Sequence, residues 1–303
     1  MELGFIGLGR MGGSMVDRLL RGGHRLVVFD AKSEAVEQAV ALGAQGAHSL
    51  AEVVAALTPP RLIWVMLPHG EPTAQVGQQL AALLSPGDIV VDGGNSNYKE
   101  SQQLGALLQG RGVHFLDVGV SHGIWGNTIG YGMMIGGDPV IVEQVRPVFE
   151  TLAPGPDRGW GHVGPIGAGH YCKTIHNGVQ YGILQAFSEG FELMQHKTEF
   201  ALDLAKVGTI WQEGGVVRSF ILELMIQELQ ENPTLAGIAA WVDDNETGRW
   251  TVAEALEANI PTPVISLAVQ WRYRSRLPAP FGDKLLAAYR RRVGGHEIKK
   301  LSE

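Results

Sequence analysis

Cysteine is almost missing, with Cys172 the single example in 303 residues. A lone thiol closes no internal disulfide and builds no cysteine zinc site, and it suits a reducing compartment, so a cytoplasmic protein with no metal is expected. Basic charge is also in deficit: 24 Lys and Arg stand against 31 Asp and Glu, for a net charge of −7. Nucleic acid and anionic membranes attract proteins through basic surfaces, so neither is expected as a partner. Long apolar runs are missing as well, none approaching the roughly 20 residues that cross a bilayer. Met1 and the acidic Glu2 lead into LGFIG, without a positively charged n-region, a long apolar h-region or a small-residue cleavage site, so no secretory leader is expected. Internal repeats and low-complexity segments are absent too.

What the chain has is apolar content of 45%, enough for a large core and, at this length, for two domains. The first half alternates short β-type runs, LGFIG, RLVVFD, RLIWVML, DIVVDGG, VHFLDVGV, GYGMMIGG and GWGHVG, with amphipathic helical stretches such as TAQVGQQLAALL. That rhythm predicts βαβ units around a largely parallel, doubly wound sheet of the Rossmann type. After Gly164 helical periodicity takes over, in HYCKTIHNGVQYGILQAFSEGFELMQ and then LAKVGTIWQ, VVRSFILELMIQEL, TVAEALEA and PVISLAVQWRYRSR. The expected organisation is an α/β domain over residues 1–164 and an all-α domain over 165–303, ending in a basic tail, AYRRRVGGHEIKKLSE, that leaves the compact body. The apolar helices around 220–229 and 264–271 need covering, which makes a homodimer or a dimer of dimers the expected assembly.

Gly7, Gly9 and Gly12 form G-x-G-x-x-G directly after the first β-type run and open a helical pattern. Glycines are needed there so that backbone N–H groups at a helix N-terminus can approach a pyrophosphate. With 41 glycines in the chain a lone match could be a tight turn and nothing more, but its context is specific. The second β-type run ends in Asp30, about 20 residues on, where a carboxylate can hydrogen-bond a ribose 2′-OH and repel a 2′-phosphate. Ala31 follows, rather than an arginine. NAD is therefore expected over NADP, with Lys32 the one nearby cation in favour of the latter. Met11 and Leu67 are further candidate cofactor contacts.

Several separate runs then occur in order: DGGNSNYKES at 92–101, VGVSHGIWG at 118–126, GAGHYCKTIHNGVQYG at 167–182, TGRWTV at 247–252, RYRSR at 272–276 and RRRVGGH at 290–296. Together they resemble the 6-phosphogluconate dehydrogenase family across nearly the whole chain, in its short, often NAD-using branch with one helical domain. On the predicted helix Lys173, His176, Asn177, Gln180 and Tyr181 share one face, at offsets of zero, three, four, seven and eight. The resemblance implies that Lys173 is the general base for the substrate hydroxyl, a role that requires its pKa to be lowered. It further implies that Asn177 orients the reacting hydroxyl and carboxylate, with His176 a neighbouring contact or a buried structural histidine. Asn95 would sit between nicotinamide and substrate, or else be a plain turn residue, and Ser121 and Gly123 would hold the substrate carboxylate. Tyr181, Arg272, Arg290 and His296 would hold a phosphate, the last two from a neighbouring subunit's tail, with Thr247 and Arg249 close to that group. Arg290, Arg291 and Arg292 could equally be a solvated basic run.

Three positions depart from the family. Gln180 replaces the glutamate that acts as general acid after decarboxylation, and an amide has no proton to transfer at neutral pH. His122 replaces a glycine of the carboxylate loop, adding bulk, a possible charge and a substitute proton donor. Asn245 stands where long-form members have a phosphate-binding lysine. The expected activity is thus NAD-linked oxidation of a phosphorylated sugar acid, 6-phosphogluconate or a close relative. Two alternatives remain: a non-decarboxylating dehydrogenase for another polyol, cyclitol or hydroxy acid, and a catalytically silent dinucleotide-binding protein. An imine reductase is disfavoured by the Lys173 and Asn177 pair.

Overall fold

The computed structural model describes residues 1–294, 297 and 299. The chain forms two compact units, Met1–His176 and Asn177–Glu303. The first contains β1 (Glu2–Ile6), α1 (Arg10–Arg21), β2 (Arg25–Phe29), α2 (Ser33–Ala41), β3 (Gln45–Gly46), α3 (Leu50–Ala55), β4 (Leu62–Val65) and α4 (Glu71–Leu83). It continues with β5 (Ile89–Asp92), α5 (Tyr98–Gln109), β6 (His114–Ser121), α6 (Gly126–Ile129), β7 (Gly132–Gly136), α7 (Pro139–Leu152) and β8 (Trp160–Gly164). Helix α8 (Ala168–His196) follows the sheet, and the division between the units falls within it.

The eight strands run in the order β3-β2-β1-β4-β5-β6-β7-β8, parallel except for the antiparallel β6–β7 pair. All the expected β-type runs are strands. The two-residue β3 was not anticipated, because Gln45 and Gly46 carry no periodic signal. The central strands β4 and β5 are buried at every residue, as strands covered on both faces must be. Alternating side chains feed two cores: Leu3, Phe5, Trp64, Val91 and Val118 pack on one face with α1 and α7, and Ile6, Ile63, Val65, Val90 and Phe115 on the other with α4 and α5. Helix starts are set by side-chain caps at Ser49, Asn97 and Asp138.

Two cations of α1, Arg18 and Arg21, tie the connection after β6 to the first helix, both donating to the Asn127 carbonyl. Arg18 of α1 donates to the carbonyls of Asn127 at 3.0 Å, Thr151 at 2.8 Å and Ala153 at 2.7 Å. Asn127 in turn donates to Asp17 at 2.9 Å. The segment that carries His122 and Gly123 is therefore anchored at its far side to α1.

The second unit holds the rest of α8, α9 (Leu204–Gly214), α10 (Phe220–Glu231), α11 (Thr247–Glu257), α12 (Pro263–Ser275) and α13 (Phe281–Gly294). The expected α10 is shorter than its apolar run, since Val216 and Val217 are exposed coil ahead of the Ser219 cap. The stretch read as a tail is helical through Gly294, with Arg290 and Arg291 exposed. Leu222, Ile226 and Leu229 are buried, whereas Val264, Leu267 and Trp271 are exposed. Among the described residues no helix is long and apolar enough to cross a membrane.

Candidate active site

The glycine-rich turn lies at the carboxyl end of β1, beside β4, where the strand order reverses and α/β sheets bind their ligands. Gly7 has φ +94, and a Cβ there would overlap the Met66 carbonyl oxygen and come within 2.9 Å of Leu67. A Cβ at Gly12 would overlap the Gly7 carbonyl oxygen, so α1 closes on the turn only with glycine. Beyond the Cβ position of Gly9 nothing lies within 4 Å, which leaves its backbone open to a bound group. Met11 is half-buried against the core and Leu67 packs on the turn. Asp30 Oδ2 accepts the Leu8 N–H at 2.6 Å and Oδ1 accepts the Lys32 N–H at 2.8 Å. These residues fit an adenine dinucleotide: an open amide-lined turn at a helix N-terminus, with a carboxylate fixed at the end of β2.

At the ends of β5 and β6 two non-glycine residues take left-handed backbone, Asn95 at φ +55 and His122 at φ +83. Such conformations cost on the order of 1–3 kcal/mol and gather where function over-determines the backbone. Asn95 is pinned to β6, accepting the Val120 N–H at 2.9 Å and donating to the Val120 carbonyl at 3.2 Å. An amide clamp on the strand thus fixes the Asn95 side chain. Ser121 closes β6, and Gly123 follows His122 with φ +52 and open space around it. Burial, and then the positive charge of Lys173, lower the His122 pKa.

The start of α8 is built on β6. The fully buried Asp117 carboxylate accepts the N–H groups of Gly167 at 2.6 Å and His170 at 2.8 Å, capping the helix with negative charge at its positive end. The buried His170 ring bonds Ser101 at 2.7 Å. One turn on, Lys173 is 6% exposed, and its ammonium lies 3.4 Å from His176 Nδ1. Burial lowers its pKa from 10.5 to about 8. About a tenth of the amine is then neutral at pH 7, enough to act as a base. His176 is exposed, which removes the reading of it as a buried structural histidine. Among the described residues no group of His, Cys, Asp and Glu could hold a metal ion.

In the second unit a hydrogen-bond chain links the other candidates. Asn177 Nδ2 donates to Thr247 Oγ1 at 3.1 Å, Thr247 donates to Asn245 Oδ1 at 2.7 Å, and the Tyr181 hydroxyl donates to the same oxygen at 2.9 Å. Asn177, Tyr181 and Thr247 are buried and Gln180 is half-buried. The Arg272 guanidinium lies 3.6 Å over the Tyr181 ring and donates to the Asp243 carbonyl at 2.6 Å. Arg249 pairs with Asp244 at 3.0 Å and Glu246 at 2.9 Å, so its charge is matched by acids. Burial would raise the Asp244 pKa, but Arg276 at 2.9 Å, together with Arg249, brings it below the usual range. Arg290 is exposed on α13, and His296 lies outside the described residues.

Sequence reasoning missed three positions. Asn245, noted only as a departure, joins Tyr181 and Thr247. Asp117 could have been found as an acid inside an apolar strand, since a buried carboxylate must be hydrogen-bonded. Arg18 offered no signal, because its partners are backbone carbonyls distant in sequence.

The NAD binding domain of 6-phosphogluconate dehydrogenase matches residues 2–164, and the 6-phosphogluconate dehydrogenase C-terminal domain matches residues 169–280. The Bacillus subtilis protein YqeC is 38% identical over 99% of this chain and 100% of its own. The NAD(+)-dependent, decarboxylating 6-phosphogluconate dehydrogenase of Haloferax volcanii is 40% identical over 99% of each chain. The solved structure of Plasmodium falciparum 6-phosphogluconate dehydrogenase is similar at a TM-score of 0.83 and 25% identity, covering 100% of this chain and 67% of that one.

Proposed function

The chain belongs to the 6-phosphogluconate dehydrogenase family, and we propose that it oxidises and decarboxylates a phosphorylated sugar acid, 6-phosphogluconate first among them. It is an NAD-dependent dehydrogenase acting on a CH–OH group. The observation that carries the reading of alcohol oxidation is Lys173: a buried amine, with its pKa at about 8, at the head of the helix that follows the dinucleotide domain. Such an amine takes a hydroxyl proton near neutral pH, which is the demand of alcohol oxidation.

NAD, when bound, supplies the hydride acceptor. Gly7, Gly9, Met11, Gly12 and Leu67 hold it at the turn and Asp30 selects its ribose. Ser121 and Gly123 hold the substrate carboxylate, Asn95 keeps that loop in register, and Asn177, with its side chain fixed by Thr247, orients the reacting hydroxyl. Tyr181 and Arg272 receive the phosphate as a preformed stack, and Arg290 of α13 together with His296, both from a second copy, complete it in a homodimer.

The test is NADH formation by purified protein with 6-phosphogluconate, with CO2 recorded in the same sample and NADP run in parallel. NADH and CO2 in equal amounts support the reading. A second reading, oxidation without decarboxylation, is favoured by Gln180, which has no proton to give. NADH from a sugar acid or cyclitol without CO2 would establish it instead.

A further inference from the structure

We propose that His122 is the second proton-handling residue of this enzyme, carrying the proton that Lys173 removes from the substrate hydroxyl to the carbon that has lost CO2. The proposal rests on the reading that the substrate is a decarboxylating sugar acid.

His122 is the first residue beyond β6, at the carboxyl edge of the sheet where open α/β folds bind their ligands. The same strand carries Asp117, which caps α8, and Gly119, which lies against the Lys173 side chain, so the lysine and the end of β6 belong to one packed assembly. The lysine's charge is felt at the ring. A histidine holding φ +83, followed by Gly123 at φ +52, keeps an unfavourable backbone where a glycine would be unstrained. Strain retained at the end of the strand that packs on the lysine is an observation that points to use of the side chain. A neutral imidazole presents one donor and one acceptor nitrogen, so it can receive a proton on one and release it from the other without changing charge. Gln180, on the face of α8 that carries Lys173, is an amide and cannot do this.

The steps balance. Lys173 takes the hydroxyl proton as the carbon bearing that hydroxyl gives up a hydride to NAD. The resulting β-keto acid breaks the bond to its carboxylate, CO2 departs, and the bonding pair remains as an enediolate. His122 accepts the ammonium proton on one ring nitrogen while the other protonates the enediolate carbon. Amine and ring both end neutral, and no proton is released.

The experiment compares the whole protein with His122→Gly, which relieves the backbone, and His122→Asn, which also tolerates it, using 6-phosphogluconate and NAD in D2O. The natural protein is expected to place deuterium on a single face of the new C–H carbon. Both variants should bind NAD unchanged, lose about 10²-fold in kcat, the usual contribution of a positioned proton donor, and place deuterium on both faces. Added imidazole should restore His122→Gly and leave the natural protein unaffected. Variants within about twofold of the natural kcat that still deuterate one face overturn the proposal alone. So does a slower His122→Gly that keeps one-face deuteration and gains nothing from imidazole. Absence of CO2 from the natural protein overturns the underlying reading and this proposal with it.

Discussion

Gly119 of β6 runs so close to Lys173 of α8 that a methyl group added at 119 would overlap the lysine Cβ. The clash is with the root of the side chain, so a rotamer change cannot relieve it and helix or strand must shift. Gly119→Ala is therefore expected to fold, bind NAD and lose about 10²-fold in kcat, since a displacement of about 1 Å of a reacting group has that effect. Steady-state kinetics beside NAD titration would check this.

Lys173 governs both rate and stability through one titration. On the proposed function the neutral amine is the base, so kcat/KM should rise with pH and level off above about 8. The sign for stability follows from its depressed value. Between about 8 and 10.5 the unfolded chain binds the proton and the folded chain does not, so stability rises with pH across that window, and below it the folded state bears the full cost, about 3 kcal/mol. Lys173→Met should abolish turnover and yet raise Tm at pH 7, with a much smaller gain at pH 10. Equal gains at both would refute the linkage.

On the proposed function Asp30 has two tasks, because the carboxylate assigned to the ribose also fixes the Leu8 and Lys32 amides. Asp30→Ala should weaken NAD at least tenfold, as expected for losing hydrogen bonds to a charged group, without a matching gain for NADP. Adding Ala31→Arg should supply that gain. KM for both coenzymes across the three proteins tests it.

The Tyr181 and Arg272 stack predicts a substrate-side defect. Arg272→Lys keeps the charge but loses the flat guanidinium that lies on the ring and is suited to holding an anion with two donors. KM for the phosphorylated substrate should rise tenfold or more while KM for NAD stays the same. Tyr181→Phe, which cuts the link to Asn245, should act in the same direction and more weakly.

The α/β half was legible because its signals are local: glycine spacing, an acid at a strand end and continuous apolar strands. Lys173, Asn177 and Tyr181 could be picked out on one helix for the same reason, since a period of 3.6 residues is a property of neighbours. What escaped was cooperation at a distance. Nothing near Asp117 shows that it caps a helix 50 residues on, and Asn245 looks like a loss until Tyr181 and Thr247 are seen to meet on its oxygen. The anchoring by Arg18 of residues more than 100 positions away is hidden for the same reason.

That anchoring bears on how the enzyme could acquire new substrates. The connection after β6 is held at Asn127 by Arg18 and Asp17 of α1, while its leading residues, from Ser121 to Gly123, lie at the end of the strand. Variation can therefore accumulate at the leading end while the trailing end keeps the loop aligned, much as a hinged tool accepts interchangeable tips. A library randomised at 121–123 with Arg18 intact should retain far more folded members than one randomised at 127–129.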